Sequence, residues 1–152
     1  THFGRYGTAC VNTLTGKTVW KRKDLQCEHI QGPGSSPIIY KDKLILHLEG
    51  IDVQFIYALD KRTGQIIWKT ERPQECFQGM EEIGKKAYIT PLVINVNGRD
   101  MMISNGSAVC IAYDVETAVG AISKPTAHVK ITKDITRGFI SLNNSEKLNT
   151  FS

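Results

Sequence analysis

The sequence predicts an all-β chain that forms part of a β-propeller, about two and a half four-stranded antiparallel blades. Three observations predict it. A ten-residue segment recurs at a fixed offset, and short apolar runs of strand length surround each copy. Turn-forming residues separate those runs, and no stretch of ten or more residues has helical periodicity.

The repeat comes first because it sets the register of everything else. Asn12-Thr13-Leu14-Thr15-Gly16-Lys17-Thr18-Val19-Trp20-Lys21 aligns with Asp60-Lys61-Arg62-Thr63-Gly64-Gln65-Ile66-Ile67-Trp68-Lys69. Gly16 and Gly64 stand 48 residues apart, as do Trp20 and Trp68, the only two tryptophans of the chain. A third copy, Ala112-Tyr113-Asp114-Val115-Glu116-Thr117, matches the segment starting at Ala58 at an offset of 54. Upstream, Ser36-Pro37-Ile38-Ile39 matches Thr90-Pro91-Leu92-Val93 at the same offset. The third copy then departs, with Ala118 in the place of the glycine and Ile122 in that of the tryptophan.

Each repeated residue has a structural task in a strand–turn–strand unit. Asn12, Asp60 and Asp114 enter the turn, where a side-chain oxygen accepts backbone N–H bonds. Gly16 and Gly64 supply the left-handed conformation that closes it. Trp20 and Trp68, on the outer strand, bury a flat surface against a neighbour and offer the indole N–H to a carbonyl there.

In chain order, the first unit shows only its last two strands, one on each side of the Asn12–Gly16 turn. The second is complete, with strands expected at 37–40, 44–48, 54–59 and 65–69 and turns at Lys41-Asp42-Lys43, Gly50-Ile51-Asp52 and Lys61-Arg62-Thr63-Gly64. The third offers strands at 92–96, 101–104 and 108–113, joined by turns at Asn97-Gly98 and Asn105-Gly106. Asn-Gly between apolar runs is a hairpin signal because both residues tolerate positive φ. The third unit lacks the signature of its last strand. The expected division is therefore 1–117 for the blades and 118–152 for a divergent tail, with further strands around Ala127, Val129 and Ile131 and around Phe139-Ile140-Ser141-Leu142.

Composition bounds the function classes. A chain of 152 residues with 41% hydrophobic and 22% charged content is globular in type, about one domain in length. No apolar run approaches the ~18 residues of a membrane-spanning helix. The net charge of +4 is mild, and Lys21-Arg22-Lys23 lacks interleaved aromatics, so it reads as a solvated strand end and not a nucleic-acid surface. The chain opens at Thr1 without a basic or apolar leader, so any signal peptide is expected to have been removed or never included. Cys10, Cys27, Cys76 and Cys110 form no C-x-x-C pair, which argues against a zinc site or a redox pair.

Candidate sites are few. Cys27-Glu28-His29 is the densest cluster; in an extended segment Cys27 and His29 share a face, as a thiolate–imidazole pair or two metal ligands would. Against this stands the absence of a second ligand pair, and a loop or core contact is the competing reading. The segment Gln31-Gly32-Pro33-Gly34-Ser35-Ser36-Pro37 reads as a blade-connecting loop, and Gly32, Gly34, Ser35 and Ser36 are the first choice for a contact surface. Glu49 and Asp52 place two carboxylates near a turn, where acid–base or calcium chemistry competes with simple solvation. His2, His47 and His128 are isolated and default to structural roles. Asn105-Gly106-Ser107 and Asn143-Asn144-Ser145 match the short glycosylation acceptor pattern.

The segment from Tyr57 to Lys69 resembles the repeat of pyrroloquinoline-quinone-like propellers, a group that includes quinoprotein dehydrogenases and the propeller lipoprotein of the bacterial outer-membrane assembly machine. From Thr1 to Thr117 the chain is similar to secreted bacterial propellers of this superfamily that lack an assigned activity. The resemblance implies a periplasmic or extracellular binding or scaffold module, without assigned catalytic activity or cofactor. Its implied partners are other protein chains, among them copies of itself that close the ring. The alternative it implies is a fragment of a quinoprotein-type oxidoreductase using pyrroloquinoline quinone and calcium. The adjacent cysteine pair of quinoprotein alcohol dehydrogenases has no counterpart here, and no residue matches their aspartate base or calcium ligands. A fold hosts many activities, so the resemblance speaks to architecture before function.

Overall fold

A computed structural model describes residues 1–121. Ile122, His128, the expected strands at 127–131 and 139–142 and the acceptor pattern at Asn143 lie outside the described residues.

Among the described residues, ten strands form three antiparallel sheets. β1 (Thr8–Val11) pairs with β2 (Thr18–Arg22). β3 (Ile38–Tyr40), β4 (Lys43–Glu49), β5 (Gln54–Asp60) and β6 (Ile66–Glu71) lie in sequence order in the second sheet. β7 (Leu92–Val96), β8 (Arg99–Asn105), β9 (Cys110–Asp114) and β10 (Gly120–Ala121) do so in the third. This is the blade pattern the repeats predict, a half blade followed by two whole ones. The third sheet continues past Thr117, because Gly120 and Ala121 pair with Tyr113 and Ala112.

The period of two along β4 and β5 explains how the sheets stack. Ile45, Ile56, Ala58 and Trp68 pack with Met102, Ile111, Tyr113 and Val115 of the third sheet. Leu46, Leu48, Tyr57 and Leu59 point the other way and pack with Leu25 and Cys27, next to Trp20 of β2. The middle sheet is thus covered on both faces, which is why its central strands read as continuous apolar runs and not as alternation.

The three repeated turns are built alike. Asn12 Oδ1 accepts the Leu14 and Thr15 amides at 2.9 and 3.0 Å. Asp60 Oδ1 accepts those of Arg62 and Thr63 at 2.8 Å, and Asp114 Oδ1 those of Glu116 and Thr117 at 3.0 and 3.1 Å. The amides of Gly16, Gly64 and Ala118 each donate back to the carbonyl of the turn's first residue at 2.8 Å. Ala118 takes a φ of 61°, the left-handed conformation its glycine counterparts hold at 69° and 74°. The hydrogen bonds of the turn therefore impose the geometry even on alanine, and that is how the third unit keeps its last strand without the signature residues.

These turns also join the blades. Trp20 Nε1 donates to the Lys61 carbonyl at 3.0 Å, and Trp68 Nε1 to the Val115 carbonyl at 3.2 Å. Each acceptor follows the turn aspartate of the next unit by one residue. The Trp20 ring lies against Gly64, where a Cβ would stand 2.7 Å from the ring, whereas nothing lies within 4 Å of the corresponding point at Gly16. The pair is a matched experiment. Gly16→Ala is expected to cost about 1–2 kcal/mol, the penalty for an L-residue in the left-handed region. Gly64→Ala carries the same penalty plus about 1–3 kcal/mol for displacing the ring. Urea unfolding of both variants checks this; equal losses would show that Trp20 is not held against the turn.

The two Asn-Gly pairs serve their turns differently. Asn97 and Gly98 both adopt positive φ, 52° and 82°, in the expected two-residue hairpin. Asn105 instead belongs to β8, and Gly106 closes the turn through its amide to the Val109 carbonyl at 2.8 Å. Glycine stands there because a Cβ would lie 2.8 Å from the Arg72 guanidinium carbon. Close approach, not turn conformation, explains that Asn-Gly pair.

Candidate functional site

Strand direction sorts the loops onto two ends. The Asp-led turns and the β3–β4 and β7–β8 hairpins occupy one end. The connectors between sheets, residues 23–37 and 72–91, occupy the other, together with the β4–β5 and β8–β9 turns and residues 3–7. The connector end is where backbone is least bound into ladders, and side chains fasten it instead.

Tyr88 is the centre of that fastening. Its ring covers Gly34, where a Cβ would lie 2.5 Å from the ring, and it stacks on His29 with centroids 5.3 Å apart. Gln31 Oε1 accepts from Lys86 Nζ at 3.0 Å and from the Tyr88 hydroxyl at 3.2 Å. Ser35 Oγ accepts the Ile89 amide at 3.1 Å and donates to the Ala87 carbonyl at 3.5 Å. Asp52 Oδ1 accepts the amides of Glu28 and Val53 at 2.8 and 2.9 Å, so the β4–β5 turn anchors the start of the loop.

A cavity of about 230 Å³ opens beside this loop. Phe3, Arg5 and Tyr6 of a short 3₁₀ turn (Gly4–Tyr6) form one side. His29, Ile30, Gly32 and Pro33 form the other. Phe3, Tyr6 and Ile30 are 57%, 75% and 66% exposed, so apolar side chains border a solvent-open cavity whose lining is mixed, polar as well as apolar.

The structure separates the expected site residues. Gly32 lines the cavity, Gly34 and Ser35 shape the loop that bounds it, and Ser36 is exposed at its end. Cys27 and His29 do not share surroundings. Cys27 is buried in the apolar cluster with Leu46 and Leu48, and burial, with Asp52 and Glu49 nearby, pushes its thiol up to about 12. That environment suppresses the thiolate a nucleophile or metal ligand requires. His29 is buried against Tyr88, and burial first and Lys86 second lower its basicity. Glu49 and Asp52 do not act together either: Asp52 is exposed on its turn, while Glu49 is fully buried on Arg72. All four cysteines are free thiols. Among the described residues, no three His, Cys, Asp or Glu side chains converge to hold a metal.

Sequence reading missed a buried polar cluster between the second and third sheets. Arg72 Nη2 donates to Glu49 Oε1 at 2.7 Å and to Ser104 Oγ at 2.6 Å, and His47 Nε2 lies 2.8 Å from the same Ser104 oxygen. His47, Glu49 and Ile45 alternate along β4 toward the third sheet, so the period of two was the available signal; Arg72 and Ser104 gave none.

This cluster makes stability depend on pH. Burial first and the Arg72 guanidinium second hold the His47 imidazole down to about 3, well below an unfolded value near 6.5. A depressed imidazole contributes stability that is fully present above about pH 6.5 and is lost as pH falls toward 3. Two pH units below 6.5 the loss is about 2–3 kcal/mol, at ~1.4 kcal/mol per unit. Glu49, whose carboxyl burial raises, acts in the opposite sense, protonating more readily in the folded chain as pH falls. The difference between the native chain and His47→Gln isolates the imidazole: urea midpoints at pH 7.5 and 4.5 are expected to diverge less in the variant.

No protein-family model matches the sequence, and no curated protein does. Solved structures do. BamB from Moraxella catarrhalis aligns over 78% of this chain and 30% of its own, at 18% identity and a TM-score of 0.50. A quinohemoprotein alcohol dehydrogenase from Comamonas testosteroni aligns over 78% of this chain and 18% of its own, at 19% identity and a TM-score of 0.53. Both are propellers of the pyrroloquinoline-quinone-like type. The likeness shows the fold, a partial β-propeller, and the chain spans less than a third of the length of either structure.

Proposed function

We propose that this chain is a propeller module that binds a protein partner through its connector end, in the periplasm or outside the cell. One observation carries the reading: the exposed apolar side chains of Phe3, Tyr6 and Ile30 surround a preformed cavity on loops held by a rigid sheet scaffold. Loops so positioned are where propellers and other scaffolds place their binding residues. Fastening by Tyr88, Gln31 and Ser35 lowers the ordering entropy such a loop would otherwise lose on binding.

Selection of a displayed random-peptide library on the chain tests this, with Phe3→Ala/Tyr6→Ala as the counter-target. Peptides retained by the chain and lost on the double variant support the reading. Failure to enrich any peptide, or equal capture by both, overturns it. The partners we propose include other blade-bearing chains, a second copy among them. Light scattering on the purified chain gives a discrete oligomer if copies complete the ring and a monomer if they do not.

The alignment with the quinohemoprotein dehydrogenase favours a second reading, a fragment of a quinoprotein-type oxidoreductase. Adding pyrroloquinoline quinone and calcium and following reduction of a redox dye decides between them. Tight stoichiometric quinone binding would sink the scaffold reading.

A further inference from the structure

The lining of the cavity is asymmetric in charge. Among the described residues it holds one permanent cation, Arg5, one imidazole, His29, and no carboxylate. Arg5 is exposed and forms no ion pair among the described residues; its guanidinium lies 5.7 Å from the centre of the Tyr6 ring. Beyond the lining, Lys86, held by Gln31, and the Asp52 carboxylate act on His29 in opposite senses. Glu28, next to His29 in sequence, does not line the cavity. Its volume, about 230 Å³, is below the ~300 Å³ floor for a drug-sized ligand. A space of that size suits a single side chain of a longer segment.

We infer that the cavity takes one apolar side chain of an acidic peptide segment, with a flanking carboxylate of that segment on Arg5. The inference rests on the partner-binding reading above and names the class of partner. Phe3, Tyr6 and Ile30 receive the apolar anchor, as aromatic-lined pockets receive the central residue of an interface. Arg5, held beside Tyr6 and without an ion pair among the described residues, offers the guanidinium fork that a carboxylate matches with two hydrogen bonds. Because Arg5 is solvent-exposed, the attraction weakens with salt.

Fluorescence anisotropy with labelled pentapeptides tests this: Asp-Glu-Phe-Glu-Asp, its serine-for-phenylalanine form, and Lys-Lys-Phe-Lys-Lys. The acidic phenylalanine peptide is expected to bind best and to weaken with added salt. Arg5→Ala is expected to weaken it about tenfold, the worth of one charge-assisted hydrogen bond. Arg5→Glu is expected to reverse the preference toward the lysine peptide, a gain that unfolding cannot mimic. Tyr6→Ala weakens both phenylalanine peptides.

Library peptides that need Phe3 and Tyr6, yet are not enriched in acidic residues and ignore Arg5→Glu, would overturn the acidic-peptide inference and leave partner binding standing. Absence of any Phe3- and Tyr6-dependent peptide would overturn both. Phenylacetate competing as tightly as the acidic peptide would assign the cavity to small aromatic acids and also overturn the peptide assignment.

Discussion

Replacing Arg72 with methionine is expected to lower the unfolding free energy by about 3–5 kcal/mol, the range for removing one partner of a buried ion pair. Arg72 and Glu49 side chains are both fully buried, at 0% exposure, with 2.7 Å between Nη2 and Oε1. Burial already raises the Glu49 carboxyl, and the Arg72 hydrogen bond is the main opposing influence. Without the guanidinium, Glu49 must protonate or remain an uncompensated charge, and Ser104 loses a donor at 2.6 Å. The loss concerns the joint between the second and third sheets, because Arg72 also donates to the Ser104 carbonyl at 3.3 Å. The double variant Glu49→Leu/Arg72→Met is expected to recover at least half the loss, since it removes both charges from a buried site. Urea unfolding at pH 7.5 measures all three chains. A single-variant loss under 1 kcal/mol would mean that water reaches the pair and screens it.

Trp68→Ala is expected to cost a similar amount, about 3–5 kcal/mol, as large-to-small changes of buried aromatics do. The Trp68 side chain fills the space among Ala58, Val115 and Ala118, and its indole N–H is buried on the Val115 carbonyl. The variant removes the ring and leaves that carbonyl without its indole donor, so transfer, cavity and hydrogen-bond terms add. Trp20→Ala is expected to cost less, because Trp20 is only half-buried. Trp68→Phe retains most of the apolar area and is expected to lose about half as much as alanine. Equal losses for Trp20→Ala and Trp68→Ala would show that burial on the third sheet is not what distinguishes the two rings.

Legibility in the sequence followed how local each cause is. The three Asp- or Asn-led turns were readable because donor, acceptor and positive-φ residue lie within five positions. The third unit's last strand was not, since Ala118 and Ile122 lack the signature and only the hydrogen bonds of the turn reveal β10. The turn at Asn105-Gly106 was legible, but the reason for its glycine was not, since that answers to Arg72, 34 residues earlier in the chain.

The loop at Gly32, Gly34, Ser35 and Ser36 was legible as loop composition. Its neighbours were not: Tyr88 comes from the next connector, and Phe3, Arg5 and Tyr6 from before β1. Likewise, Cys27 and His29 share a face on paper, but an apolar cluster takes one and an aromatic ring the other.

By itself, then, the sequence determined the blade repeat, its turn chemistry, the strand order and the place of the connecting loop, because each rests on periodicity or on hydrogen bonds between near neighbours. Only the tertiary structure decided that Arg72, Glu49, Ser104 and His47 meet in a buried joint, and that Arg5 and His29 face one cavity lined, among the described residues, by no carboxylate. Those encounters join residues from different sheets and connectors, and stacking of sheets, which no local pattern records, brings them together.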